Sequence, residues 1–174
     1  GMLGSGPKLK DPATRATNFI LKAQHNAGGW RYKPGEAGDL SVTGWQYMAL
    51  HSARMADLKI PEENFVKTRK FIDSVSGGKQ GGRYGYTGPG SNSPAMTATG
   101  MFLRQLDLSP PTAPNMQESA TFLKANMLKA NRVDFYYDYY ATLALYQHQG
   151  PIWKEWNDTL KEIYVTLQKT TGSD

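Results

Sequence analysis

The sequence predicts an all-α fold built from helical hairpins that pack side by side. Segments that are apolar on one side alternate with segments that are apolar nearly all round. The first pattern is typical of outer helices and the second of buried inner helices. A helix, a glycine-rich loop and a second helix recur about every 50 residues, and one such hairpin cannot bury both of its faces alone. No segment alternates apolar and polar residues over the length of a useful strand. The expected architecture is a solenoid or a closed α/α ring.

Seven helices follow from this pattern, in the order outer, inner, outer and so on. The first outer helix opens at Asp11 and Pro12, because Asp is a good N-cap and Pro suits a first turn. Gly28 and Gly29 stop it, and residues 41–55 form the first inner helix. The remaining predicted helices are outer 61–75, inner 95–106, outer 116–127, inner 134–149 and outer 153–167.

The chain length of 174 residues favours one domain, since a single core usually serves up to about 250 residues. We assign residues 11–174 to this domain, either as a partial ring or as part of a longer one. Residues 1–10 are interpreted as a tag remnant and flexible lead, because Gly1 precedes Met2. No apolar run approaches the roughly 18 residues of a membrane-spanning helix, so no membrane span is expected.

The composition excludes several kinds of site. There is no cysteine, which removes disulfide scaffolds, thiolate zinc sites and cysteine nucleophiles. The three histidines are far apart in sequence and match no ligand spacing, so we expect neither a metal nor another cofactor. The net charge of +5 is spread along solvated helix faces, and we expect no nucleic-acid partner.

The internal repeat is also visible in the letters of two loops. The segment GGWRY at 28–32 matches the segment GRYGY at 82–86. Thr43-Gly44 matches Thr99-Gly100 at a slightly longer offset. The difference between the two offsets predicts that the second loop has gained two residues.

A QxxxGxW motif ends the first helix, with Gln24, Gly28 and Trp30 at its fixed positions. The same QxxxG spacing returns after the last helix as Gln168 and Gly172, with aspartate where the tryptophan would be. These motifs resemble the QW motifs of squalene-hopene-cyclase-type repeats, in the terpenoid cyclase and prenyltransferase α/α-toroid superfamily. The resemblance covers residues 11–174 and implies a partial α/α toroid of about three hairpins plus a terminal helix, with inner and outer helices alternating.

The QW residues are interpreted as a structural clamp between hairpins. A glutamine near a helix end can bond unpaired backbone groups, and glycine permits a turn with positive φ. A tryptophan can stack on the adjoining helix while its indole N–H finds an acceptor.

The catalytic acids of similar cyclases are missing. Those enzymes protonate an alkene with a DxDD motif at the start of an inner helix. Here Asp39 and Thr43 match the first and the trailing position of that motif, but Ser41 and its neighbour Val42 replace the two central acids. Protein prenyltransferases need a zinc-bound cysteine, which is also absent. The resemblance therefore implies neither class II cyclisation nor prenylation, and we assign no catalytic residue.

The candidate ligand site lies where the inner-helix N-termini and the two glycine-rich loops should converge. Asp39 and Asp134 also fit as N-caps. Asp138 lies in an aromatic turn and is either functional or paired with a tyrosine hydroxyl or with Arg83 or Arg132. The aromatic block is either core or cavity lining, although its many hydroxyls are hard to satisfy in a dry core. The candidate residues are Asp39, Trp45, Tyr47, Arg83, Tyr136, Tyr137, Asp138 and Tyr140.

Two function classes remain open. One is a binding or scaffolding module that uses the concave inner-helix face for a protein, a small molecule or a glycan. The other is an enzyme with an open aromatic cavity, related to terpenoid cyclases or acting as a glycan lyase through a tyrosine and an arginine. We favour binding, because no acid, base and neutralising group stand at matched positions in the sequence.

Overall fold

A computed structural model describes residues 7–168, and helices make up most of this part of the chain. The all-α prediction is confirmed, since the sheet within these residues has only two strands of two residues each. A 3-10 turn covers Pro89–Ser91. The elements are α1 Pro7–Ala23, α2 Leu40–Met55, α3 Glu62–Ser74, β1 Ser76–Gly77, β2 Arg83–Tyr84, α4 Pro94–Leu106, α5 Pro114–Lys124, α6 Phe135–His148 and α7 Gly150–Leu167.

The first helix begins earlier than predicted. It starts at Pro7, so residues 7–10 are helical and the predicted start at Asp11 is four residues late. Pro12 lies in the second turn, where it removes one backbone hydrogen bond but keeps a helical φ. Two side-chain contacts across this turn support the extension: Arg15 pairs with Asp11, and the Thr14 hydroxyl donates to the Lys10 carbonyl.

The helices pack around a central row. Helix α4 contacts both α2 and α6, and Trp45 of α2 also stacks on Tyr139 of α6. Helices α1 and α3 pack against α2, α5 packs against α4 and α6, and α7 packs against α6. None of the helices between residues 7 and 168 has the length and apolar content to cross a bilayer. The largest fully buried side chains, each stabilising by about 1.5–3 kcal/mol, include Tyr47, Leu50, Phe65, Ile72, Tyr84, Met101, Leu103, Met116, Leu123, Tyr140 and Trp156.

The two glycine-rich loops attach to the central row in the same way. The Trp30 amide donates to the Thr43 hydroxyl of α2 at 3.0 Å, and the Tyr84 amide donates to the Thr97 hydroxyl of α4 at 3.2 Å. The offset in sequence from Trp30 to Tyr84 equals the offset from Thr43 to Thr97. The structural equivalent of Thr43 is therefore Thr97, and the predicted match to Thr99 with a two-residue insertion is wrong. Thr99-Gly100 shares only its residue types with Thr43-Gly44. The Thr99 hydroxyl bonds the Ala95 carbonyl and the Tyr136 hydroxyl instead of a loop amide.

The helix caps follow the same register. Asp39 caps α2 by accepting a hydrogen bond from the Val42 amide, and Ser93 caps α4 by accepting one from the Met96 amide. The backbone amides of these two caps donate to the carbonyls of Trp30 and Tyr84, respectively. Each loop thus holds the N-terminus of the inner helix that follows it.

The QW residues join α1 to α3. The Gln24 side-chain amide donates to the carbonyls of Gly28 and Asn64 at 2.9 and 3.1 Å, and the Asn64 side chain donates back to Gln24 at 2.6 Å. The Trp30 indole N–H donates to the Ile20 carbonyl of α1 at 2.8 Å. The motif residues therefore bond backbone and side-chain groups of the two neighbouring outer helices.

The second copy of the motif is described only at its first residue. Gln168 is exposed, and its amide donates to the Tyr164 carbonyl at the end of α7. Gly172, the other predicted motif residue, lies outside the described residues.

Glycine is required where each loop meets the next outer helix. Gly28 has a φ of +97°, and a Cβ at this position would lie 2.0 Å from the Lys67 carbonyl oxygen of α3. A Cβ at Gly82 would lie 2.2 Å from the Asn115 carbonyl oxygen of α5. The loops therefore touch backbone, which cannot move aside as a flexible side chain can.

We predict that Gly28→Ala lowers the free energy of unfolding by about 3 kcal/mol or more, because it adds a backbone clash to the strain of a positive φ. Gly35→Ala is the matched control. Gly35 also has a positive φ, of +73°, but nothing lies within 4 Å of its Cβ position. The control should lose only about 1 kcal/mol. Urea denaturation followed by circular dichroism measures both, and equal losses would contradict the close-approach argument.

Candidate functional site

Two of the eight predicted site residues are core tyrosines whose hydroxyls bond within the protein. Tyr47 is fully buried, and its hydroxyl donates to Asp107 Oδ1 at 2.7 Å. Tyr137 is buried, and its hydroxyl donates to the Asn126 carbonyl at 2.7 Å. Burial raises the pKa of both hydroxyls above the ordinary tyrosine value. Both hydroxyls are satisfied within the protein, so neither faces a common ligand site.

Arg83 lies in the loop that attaches to α5. Its Nε is 3.7 Å from Glu118 Oε1, and its guanidinium stacks over the Phe122 ring at 4.9 Å. Glu118 also accepts hydrogen bonds from three backbone amides of the loop, those of Lys79, Gln80 and Gly82. Burial alone would raise the pKa of Glu118, but these amide bonds and Arg83 lower it. Arg83 thus helps to hold a loop and does not pair with Asp138.

Asp138 pairs with a tyrosine, one of the alternatives that the sequence left open. It is only 4% exposed, and its Oδ2 accepts a hydrogen bond from the Tyr164 hydroxyl of α7 at 2.8 Å. Burial raises the pKa of Asp138 above its ordinary value, and the bond from Tyr164 opposes this shift. Asp138 also lines a cleft of about 250 Å³ between the start of α4 and the loop after α5. The predicted meeting of Asp138 with Arg83 in one pocket does not occur.

Four other predicted residues do come together, at the N-terminal ends of the central helices. The rings of Tyr136 and Tyr140 are 4.9 Å apart, and that of Tyr140 is 5.4 Å from Trp45. Tyr140 is fully buried, and its hydroxyl has no hydrogen-bond partner among residues 7–168. Burial raises the pKa of Tyr136 to about 12, and the charge of Asp39 adds to this rise. Tyr136 also bonds the Thr99 hydroxyl at 3.1 Å.

Asp39 is a buried anion behind this group. Its Oδ1 accepts hydrogen bonds from the Ser41 hydroxyl at 2.9 Å and from the Val42 amide at 2.8 Å. Its Oδ2 is 3.7 Å from Arg31 Nε and accepts no hydrogen bond of normal geometry from the described residues. The side chain of Asp39 is fully buried, whereas that of Arg31 is 41% exposed. Asp39 therefore both caps α2 and faces the cation that lies above it.

Five site residues were missed. Ser41 and Tyr139 are on inner helices beside chosen positions, and the other three are in loops, from which the sequence reasoning chose only Arg83. Arg31, Tyr32 and Tyr86 lie in the two glycine-rich loops. The hydroxyls of Tyr32 and Tyr86 are 3.3 Å apart. The pKa of Tyr86 is raised to about 12. The contact with Tyr32 is the largest cause, followed by burial and by the nearby carboxylate of Asp39. The repeat was a usable signal, because the two tyrosines occupy equivalent positions in its two loops.

We call the exposed part of this region the tyrosine surface. Trp45 lies one turn after Ser41 on α2 and stacks on Tyr139 of α6, with the ring centroids 5.4 Å apart and the planes inclined by 23°. Nearly half of each of these two aromatic side chains is exposed. The surface offers aromatic faces, hydroxyl groups and one guanidinium. It is formed by Arg31, Tyr32, Ser41, Trp45, Tyr86 and Tyr139.

Within residues 7–168, no three histidine, aspartate or glutamate side chains are grouped so that they could hold a metal ion. No protein-family model matches the sequence, and no curated protein matches it. The likeness to squalene-hopene-cyclase-type repeats therefore stays a prediction from the motifs.

The stability difference between Asp138→Asn and the wild type should change with pH. Because the pKa of Asp138 is raised in the folded state, its stabilising contribution is complete below the unfolded value of about 3.9 and is lost as pH rises through the folded value. The asparagine side chain cannot ionise, but its amide oxygen can still accept the hydrogen bond from the Tyr164 hydroxyl. The variant's free energy of unfolding should therefore rise relative to wild type from pH 4 to pH 7. Urea denaturation at three pH values measures the difference, and a constant or falling difference would show that burial does not disfavour the Asp138 anion.

Proposed function

We propose that the chain is a partial α/α toroid of squalene-cyclase-like repeats and that it acts as a binding module for a carbohydrate. The register shared by the two sets of loops, caps and hydroxyl contacts supports the repeat architecture. So does the central row of α2, α4 and α6, with the other helices packed against it. The ligand site in this proposal is the tyrosine surface.

The observation that supports a carbohydrate is the mixture of groups on that surface. A sugar ring presents C–H groups on its faces and hydroxyls around its edge. The exposed rings of Trp45 and Tyr139 offer apolar area for a sugar face. The hydroxyls of Tyr32 and Tyr86 can donate and accept, and Arg31 can donate, so the edge of the sugar also finds partners.

The polar groups of the surface already contact neighbouring groups before any ligand binds. Asp39 attracts Arg31 from behind, and the Tyr86 hydroxyl contacts that of Tyr32. Groups that are already ordered lose less conformational entropy on binding. The negative charge of Asp39 also balances the positive charge of Arg31, so the site suits a neutral sugar better than a phosphate.

Binding fits these residues better than catalysis does. Ser41 and Val42 occupy the positions of the cyclase acids, and the Ser41 hydroxyl donates to Asp39. The pKa values of Tyr86 and Tyr136 are raised to about 12, which leaves almost no tyrosinate at neutral pH. A tyrosine that acts as the base of a lyase needs a pKa near the working pH. The lyase alternative is therefore disfavoured.

We expect the protein to bind at least one neutral oligosaccharide from a panel of gluco-, manno- and xylo-hexaoses, with a Kd between about 10 μM and 1 mM. Trp45→Ala should weaken binding at least tenfold, because it removes the exposed aromatic face. Tyr32→Phe should weaken it about three- to tenfold by removing one hydroxyl. Isothermal titration calorimetry on each variant measures these changes.

The matched control is Tyr146→Phe, which removes a hydroxyl from a tyrosine that is 57% exposed and packs on Trp153 of α7. This variant should bind as the wild type does. Failure to bind any saccharide of the panel would overturn the proposed function. Equal binding by wild type and Trp45→Ala would move the site away from the tyrosine surface.

A further inference from the structure

The cleft of about 250 Å³ that Asp138 lines has charged groups of both signs in its walls. Its walls are the start of α4, the start of α6 and the loop that joins α5 to α6. Lys129 and Arg132 lie in this loop, Asp134 is the N-cap of α6, and Asp138 lies in the first turn of that helix. No residue of the tyrosine surface lines the cleft.

The four charges do not neutralise one another. None of them lies within 4.0 Å of an opposite charge among residues 7–168. Lys129 and Arg132 are exposed, and Asp134 uses its Oδ1 to accept the amides of two α6 residues. The cleft therefore brings two separate cations and two separate carboxylates around one small volume.

Asp138 is the buried charge of the cleft. The Tyr164 hydroxyl donates to its Oδ2, whereas its Oδ1 accepts no hydrogen bond of normal geometry from the described residues. Burial raises the pKa of Asp138, and the bond from Tyr164 and the backbone of Asp134 only partly oppose this rise. A ligand cation that donates hydrogen bonds would offset the loss of hydration that burial imposes on the carboxylate.

We propose that this cleft binds a free α-amino acid with an aliphatic side chain, with its ammonium group at Asp138 and Asp134 and its carboxylate at Lys129 and Arg132. A zwitterion meets both signs of charge in the cleft. A phosphate would be repelled by the two carboxylates, and a simple cation by Lys129 and Arg132.

The volume and the apolar walls of the cleft suit an aliphatic amino acid. Its 250 Å³ corresponds to about eight water molecules of roughly 30 Å³ each, which is about the size of valine, leucine or methionine. Pro94, Ala125, Met127 and Leu128 contribute carbon atoms to its walls. These atoms can pack against an aliphatic side chain while the charged groups fix the orientation of the ligand.

The test is isothermal titration calorimetry of the full chain with L-valine, L-leucine and L-methionine at pH 7. We expect at least one of them to bind with a Kd between about 10 μM and 1 mM. Isocaproate keeps the side chain and carboxylate of leucine, and isoamylamine keeps its side chain and ammonium group. Each should bind at least tenfold more weakly than leucine, because each leaves one pair of charges in the cleft unmatched.

Two variants test the two ends of the ligand. Asp138→Asn should weaken amino-acid binding at least tenfold, because it removes the buried carboxylate. The double variant Lys129→Gln/Arg132→Gln should do the same at two exposed positions where the fold does not depend on the cations. Lys22→Gln, at an exposed lysine of α1 outside the cleft, is the control and should bind as the wild type does. Circular dichroism checks that each variant is folded.

A wild type that binds none of the three amino acids would overturn the proposal. So would a folded Asp138→Asn variant that binds as tightly as the wild type. Equal binding of leucine and isocaproate, or of leucine and isoamylamine, would show a site for one charge only and would also contradict it. The carbohydrate proposal is tested separately, since Asp138→Asn should still bind saccharide and Trp45→Ala should still bind the amino acid.

Discussion

The close approach of two glycine-rich loops to the helices around them is the constraint on which the rest of the structure depends. At Gly28 and Gly82 the loop backbone touches the backbone of the next outer helix, and no side chain fits between them. In the same loops, the amides of Trp30 and Tyr84 donate to threonine hydroxyls of the inner helices. One loop therefore fixes an outer helix and an inner helix at once. Because the second loop repeats this arrangement in the same register, neighbouring hairpins have the same geometry.

The position of the tyrosine surface follows from this constraint. Because each loop ends at the N-terminus of an inner helix, loop side chains and cap residues meet there. Arg31 from the first loop thus approaches Asp39 at the α2 cap, and Tyr32 of the same loop contacts Tyr86 of the second loop. Buried Asp39 satisfies the helix start and also attracts the cation above it. The same contacts that stabilise the fold therefore orient the polar groups that we propose for ligand binding.

The sequence predicts the helices and their order well, because apolar periodicity is a local property of each segment. It predicts the start of α1 poorly, since Pro12 resembles a first-turn residue and only side-chain contacts support the earlier turn. It predicts the site in part. The choice of Glu118 as the partner of Arg83, and of a tyrosine as the partner of Asp138, depends on which helices become neighbours. Such pairings between distant segments leave no local pattern, whereas the repeated loop letters marked Tyr32 and Tyr86 as equivalent positions.

The most direct measurement of the central claim is the rate of hydrogen exchange at the backbone amides of Trp30 and Tyr84, followed by NMR under native conditions. If the loops are held against the inner helices, both amides exchange only through global unfolding and belong to the slowest class. Thr43→Val should then speed exchange at Trp30 at least tenfold more than at Tyr84, because it removes only the first acceptor. Exchange at both amides as fast as at the exposed Gly90 would contradict the account.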